Sequence, residues 1–255
     1  MTNFWAVFKR ELKVYFSSPI AYAVIFIFLV VAGYFFASSV SYYSLMSYQA
    51  ARNPYMAQMN FTDMVLSPFF GNVSVIMLLM LPALTMRLFA EEKKSGTYEL
   101  LFSYPVREVE VLLGKFCAAL FVFMVMIGLT GFYQILLWNM GLAEPGVALS
   151  GYLGLFLLGA AFISLGALVS SLTENQIIAA VISFGVLLLF WVIGWSAAAA
   201  APPYSGFFEY ISLIKHLVSF AKGVIDTADI AYYLCFIFFF LFLTLRSLES
   251  KRWRG

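Results

Sequence analysis

The chain has 255 residues, of which 63% are hydrophobic and only 11% charged, with a net charge of +2 at neutral pH. Soluble domains lie near ~45–50% apolar and about 25% charged, so this composition excludes a soluble globular domain and points to an all-α, polytopic membrane protein. The fifteen Lys and Arg are scattered through polar segments and form no basic stripe, which excludes nucleic acid as a partner.

Residues 3–17 repeat apolar side chains at steps of three and four. Phe4, Phe8, Leu12, Tyr15 and Phe16, with Trp5 beside them, lie opposite Lys9, Arg10 and Lys13. This pattern predicts an amphipathic helix lying in the membrane interface, aromatics toward lipid and cations toward headgroups. Ser18-Pro19 ends it and turns the chain into a first span, residues 20–37, whose apolar run is longer than the ~7–15 residues of a signal-peptide core and reads as a retained helix. A polar outer loop with only Arg52 and Asp63 charged is expected next, then a second span, 69–86, kinked by Pro82 near its end.

Residues 87–115 hold ten charges, the one long charged segment of the chain. Within it Glu91, Glu92, Lys93 and Lys94 predict a short helix, Gly96 a break and residues 98–102 a second short helix. Pro105 then suits a helix start, with Glu108 and Glu110 complementing the dipole. The third span covers 116–140. Spans four and five, 152–172 and 177–197, are joined by a hairpin at Glu174, Asn175 and Gln176 short enough to make them antiparallel neighbours. On span four, Ala160, Ser164, Ala167 and Ser171 form a seam that lets another helix approach. Residues 198–229 are apolar but interrupted by Pro202, Pro203, Gly206, Lys215, His216, Lys222 and Gly223, which predicts a short re-entrant or surface-lying helical pair. The sixth span covers 230–245.

Six spans put both termini on one side. The N-terminal segment, the central segment and the tail carry twelve of the fifteen Lys and Arg, leaving Arg52, Lys215 and Lys222 opposite. The positive-inside rule makes the basic side cytoplasmic.

Chemistry within the spans is sparse. Asn72 and Gln134 are polar, and nothing resembles the ion relay of a secondary transporter. Cys117 and Cys235 read as small hydrophobes, no Cys/His cluster has zinc spacing, and no metal is expected. His216 has no Ser or Cys partner in view, so an enzyme is not expected, and Gly114-Lys115 belongs to no phosphate-binding loop. If the protein performs work, its energy enters from a partner, and the charged central segment is the natural place.

That segment, EEKKSGTYELLFSYPVREVEVLLGKF, resembles the cytoplasmic coupling region of ABC-2-type permeases. FKRELKVYFSSPIAY, SSLTENQIIAAVISF and the C-terminal KGVIDTADIAYYL and LTLRSLESKRW agree with it, and together they resemble the subgroup associated with gliding motility and with the copper-related permeases of nitrous oxide reduction. The resemblance implies a six-span half-transporter in a bacterial cytoplasmic membrane, paired with a second permease, either an identical copy or a related subunit with a large extracytoplasmic domain. It implies no cofactor in this chain. ATP and Mg belong to a separate cytoplasmic ATPase. Carried onto this chain, Glu91, Glu92, Lys93, Lys94, Ser95, Gly96, Thr97, Glu99 and Leu100 would contact that ATPase, with Glu174, Asn175 and Gln176 lining the second cytoplasmic turn. The amphipathic helix would be the elbow in membrane lipid, and Phe207, Lys215, His216 and Gly223 would belong to an outer gate. The expected function is an ABC-type exporter permease driven through 91–101. The alternative is a membrane subunit of such a complex that transmits force or acts as a scaffold and moves no cargo.

Overall fold

The computed structural model describes residues 2–50, 60–96, 107–139, 141, 144–199 and 204–252, and their regular structure is helical throughout. The order is α1 (Thr2–Ser17), α2 (Pro19–Ala50), a π-helical turn (Thr62–Leu66), α3 (Ser67–Thr85), α4 (Arg87–Lys94), α5 (Glu108–Asn139), α6 (Pro145–Leu172), α7 (Gln176–Ala199), α8 (Tyr204–Ile211), α9 (Leu213–Ala221) and α10 (Thr227–Arg252). Among the described residues six helical stretches are long and apolar enough to cross a membrane, in agreement with the expected six-span, all-α architecture.

Several helices outrun their apolar cores. The first half of the expected outer loop is helix: α2 continues to Ala50, because nothing between Gly33 and Ala50 is a glycine or proline that would stop it. At 1.5 Å per residue its 32 residues measure about 48 Å, against about 30 Å of hydrocarbon. α5 starts at Glu108, before the expected span, with Glu108 and Glu110 in its first turn. The expected short helix at the charged segment is α4, which ends where Gly96 takes φ +68°, a conformation glycine adopts without steric cost. It follows α3 directly. The helix register breaks at Met86, whose own amide still donates to Pro82 O at 2.9 Å. The 198–229 segment folds as the short pair α8 and α9, divided at Ser212. The second short helix expected at 98–102 lies outside the described residues.

α6 is the axis of the bundle. Of its most apolar stretch 83% is buried, against 22% for both α7 and α10, so α6 is wrapped by the rest of the chain while those two keep wide apolar faces outward. The small-residue seam explains how: Ala160, Ser164, Ala167 and Ser171 are all buried. Its glycines go further. A Cβ on Gly159 would stand 2.1 Å from the Phe123 ring of α5, and one on Gly166 would stand 2.1 Å from Thr85 Oγ1 of α3. With little hydrophobic drive between helices in lipid, such close packing holds a membrane bundle together. Cys235, expected in the interior, lies on the exposed face of α10.

The contacts define two ends. One gathers α1, α4, the start of α5, and the ends of α6 and α10. The other gathers the π-helical turn, the start of α6 and the pair α8–α9, tied by Ser67 Oγ to Ala221 O at 3.0 Å and Ser150 Oγ to Phe220 O at 2.9 Å.

Candidate functional site

The charged end is built around Lys115 of α5. Its side chain is 2% exposed, and its ammonium sits 2.9 Å from Glu11 Oε1 on α1 and 3.0 Å from Glu92 Oε1 on α4. Arg10 of α1 donates to the same Glu92 oxygen at 2.9 Å. The ring of Phe89 lies below the ammonium, 5.4 Å away. Two cations and two carboxylates thus balance in a place largely closed to water, where an unpaired ion costs several kcal/mol. One buried cation fastens three separate helices.

The amphipathic α1 is shaped to supply its part. Trp5, Lys9, Arg10 and Lys13 are exposed and Phe4, Phe8 and Leu12 half-buried. A third stripe, Val7, Glu11 and Tyr15 at four-residue steps, is buried. Gly114 makes room for this stripe, since a Cβ there would come within 2.8 Å of Val7 Cγ1. The Tyr15 hydroxyl donates to Leu84 O of α3 at 3.1 Å. Burial, helped by the Glu11 charge, pushes its pKa far above the ordinary tyrosine value, so it remains a donor.

α4 is held from its other side by α6. Ser170 Oγ accepts from the Phe89 and Ala90 amides at 3.0 and 3.1 Å and donates to Met86 O at 3.0 Å, so one hydroxyl serves the backbone at the register break. Lys93 Nζ donates to Ser171 O, and Ser171 Oγ meets Ser247 Oγ of α10 at 3.2 Å. Arg87 pairs with Glu91 at 3.1 Å and donates to Ser18 Oγ, at the α1–α2 junction, at 3.1 Å. Between α1, the start of α2 and the α3–α4 junction lies a cavity of about 220 Å³, lined among others by Arg10, Glu11, Tyr15, Arg87 and Glu92.

The residues expected to face a partner therefore divide. Glu92 is 7% exposed and turned into the protein, and Lys93 reaches α6. Lys94, Ser95 and Gly96 are exposed and Glu91 is partly so. Thr97, Glu99 and Leu100 lie outside the described residues. At the α6–α7 turn Glu174 and Asn175 are exposed and Gln176 is half-buried. Asn175 Oδ1 accepts the Ile177 amide at 2.9 Å and so starts α7. α4 packs near this turn, against α6 and α7.

The residues expected at an outer gate do not converge. Phe207 is exposed on α8, Lys215 forms an exposed pair with Glu209 at 2.8 Å, and Gly223, at φ +86°, ends α9 against Val147. His216 is buried, 2.6 Å from Asp229 Oδ1. Ser212 Oγ, buried nearby, has no hydrogen-bond partner among the described residues.

Glu11, Lys115 and Asp229 are the partners that sequence reasoning missed. Glu11 had a signal, since, with Val7 four residues before, it belongs to neither the aromatic nor the basic face. Tyr15, expected among the aromatics turned to lipid, is buried beside these two instead.

Six apolar helices, an amphipathic helix packed across one end, and a charged junction joining it to the spans define a multi-pass membrane subunit of the transporter class. Residues 5–245 match the family model described as ABC-2 family transporter protein, and the chain belongs to that family: it is a permease subunit of an ABC transporter. No curated protein matches the chain significantly.

Proposed function

We propose that this chain is the permease of an ABC-type exporter in a bacterial cytoplasmic membrane, with its charged end and both termini in the cytoplasm. A separate ATPase subunit, holding ATP and Mg, docks at the exposed end of α4 (Glu91, Lys94, Ser95, Gly96) and at the Glu174–Asn175 turn. The observation that carries the reading is the Lys115 cluster. A push on α4 reaches α5 through Lys115, α1 through Glu11 and Arg10, and α6 through Ser170, without a compliant joint between them. The bias of twelve of the fifteen Lys and Arg toward this end supports the orientation. A second permease, identical or related, completes the path across the outward apolar faces.

The test compares the ATPase rate of the permease–ATPase complex in lipid nanodiscs for wild type, Gly96→Pro and Lys94→Glu. Both substitutions lie at the exposed tip and spare the buried cluster. Loss of ATPase binding or of permease-dependent stimulation in both supports docking at α4; wild-type behaviour in both overturns it.

The second reading, a subunit that transmits force to an outer partner and moves no cargo, draws on α2. Its 32 continuous residues outrun the hydrocarbon by about 18 Å, a rigid rod on the far side. It shares the resemblance to gliding-associated permeases. Cargo-dependent ATPase stimulation favours export, and a tight outer partner without cargo favours force transmission.

A further inference from the structure

His216 is the chain's one histidine, and the fold encloses it with a carboxylate at the end opposite the charged junction. Nδ1 lies 2.6 Å from Asp229 Oδ1 and Nε2 lies 2.9 Å from the carbonyl oxygen of Tyr210. The Tyr232 ring stacks on the imidazole at 3.9 Å and Tyr210 meets it edge-on at 5.6 Å. His216 and Asp229 are each 8% exposed.

The hydrogen-bond chemistry counts the protons. A carbonyl only accepts, so Nε2 carries a hydrogen. One further proton must then lie between Nδ1 and Oδ1, whether as imidazolium facing carboxylate or as neutral imidazole accepting from a carboxyl group. Without that proton the one remaining ring hydrogen serves only one side, leaving either Nδ1 against the carboxylate or Nε2 against the Tyr210 carbonyl as two facing acceptors. The carboxylate can then keep the Nδ1–H donor only by giving up the contact to Tyr210, so the closed arrangement loses one of its two hydrogen bonds in a buried place. The second oxygen of Asp229 is itself buried with no hydrogen-bond partner among the described residues.

The same contacts hold the short helices in place. The break between α8 and α9 leaves the backbone carbonyls at the end of α8 without helical partners. His216 takes that of Tyr210, Tyr232 Oη donates to Ile211 O at 2.6 Å, and Tyr233 Oη donates to Leu213 O at 2.8 Å. Two of these three donors belong to α10, and the third is bound to it through Asp229. Among the described residues no other charge intervenes. α3, α6 and α7, which pack on α8 and α9, contain no Asp, Glu, Lys, Arg or His, and Tyr152 of α6 is engaged with Thr130 at 3.0 Å. On the short helices themselves Glu209 and Lys215 pair with each other in solvent, and Lys222 and Asp226 are exposed.

We propose that His216 and Asp229 form a proton-binding site that latches α8–α9 onto α10, one bound proton keeping this end closed and its loss releasing the pair. The sign follows from the count: the closed arrangement needs the shared proton, so raising the pH opens it and lowering the pH closes it. This site is independent of where an ATPase docks.

Because the chain has a single histidine, the ring is directly observable. With [15N]-histidine label and a tag free of histidine, the protein in lipid nanodiscs is followed from pH 5 to 9 by the ring nitrogen resonances. Hydrogen exchange of the 204–221 amides, normalised for the intrinsic pH dependence of exchange, is measured in parallel. The expected result is loss of one ring-associated proton together with a rise in 204–221 exchange of at least about tenfold, while α6 stays protected. In Asp229→Asn the amide donates to Nδ1 without an added proton, so 204–221 stays protected at both pH extremes. In His216→Gln the amide donates to Asp229, and the pH dependence likewise disappears. Unchanged ring resonances across the range overturn the proposal. So does exchange that does not follow the ring, or variants that keep the wild-type pH dependence.

Discussion

Lys115→Met tests the buried junction. The substitution keeps the length of the side chain and removes a charge whose side chain is 2% exposed and which lies 2.9 Å from Glu11 and 3.0 Å from Glu92. Glu92 keeps Arg10, whose own side chain is 48% exposed, but Glu11 loses the one cation in contact with it among the described residues. Breaking a buried pair from one side costs about 3–5 kcal/mol, a large share of the roughly 5–15 kcal/mol that holds a typical domain folded. The assay is denaturant unfolding of the protein in mixed micelles, with Glu11→Gln, Glu92→Gln and the triple variant measured beside it. The triple variant, which removes both carboxylates along with the ammonium, is expected to return to within about 1 kcal/mol of wild type, because no buried ion is then stranded and the remaining Arg10, 48% exposed, is solvated. If Lys115→Met alone falls within about 0.5 kcal/mol of wild type, the size of an ordinary surface substitution, the cluster is solvated and the reasoning fails. A triple variant no more stable than Lys115→Met refutes it as well, since the loss would then come from packing.

Ser170→Ala leaves two amides and the Met86 carbonyl at the α3–α4 break unserved. A loss of about 1–3 kcal/mol, with faster hydrogen exchange confined to 86–94, is expected by unfolding and exchange mass spectrometry. Gly159→Ala drives a methyl into the Phe123 ring and should cost about 1–3 kcal/mol in thermal or denaturant stability. Gly185→Ala, with nothing within 4 Å, should be neutral or stabilising by up to about 1 kcal/mol. For Tyr15, burial first and the Glu11 charge second raise the pKa. The folded state therefore keeps a proton that the unfolded state releases above about pH 10, and stability falls as pH rises through that range. Tyr15→Phe should lose about 0.5–1.5 kcal/mol at pH 8 through the missing bond to Leu84. Its further decline between pH 9 and 11 should be shallower than that of wild type.

The charged segment shows how far a linear reading reaches. The break at Gly96 was legible, because a glycine after a run of good helix formers marks a helix end, and there the backbone takes φ +68°. The fate of Glu92 was not. It lies beside Glu91 in a run of four charges, and nothing local distinguishes a carboxylate that faces solvent from one that faces Lys115. The end of α2 was misread for a related reason. Residues 38–50 lose their hydrophobicity, which marks where lipid gives way, but hydropathy does not stop a helix, and no breaker stands there. His216 looked solitary because its partner lies 13 residues on, beyond a helix end and a glycine turn.

The sequence by itself determined the class, the count of spans and the small-residue seam. A bilayer leaves backbone groups no water to bond, so every apolar run of sufficient length has to become a helix, and composition alone locates such runs. Only the tertiary structure decided that Lys115, 104 residues from Glu11, is the point where the amphipathic helix, α4 and the third span are joined. It likewise decided that one histidine lies 2.6 Å from one aspartate at the opposite end. Pairings of this kind are set by how helices stack around α6, and the residues that meet there carry no periodic or local signal of each other.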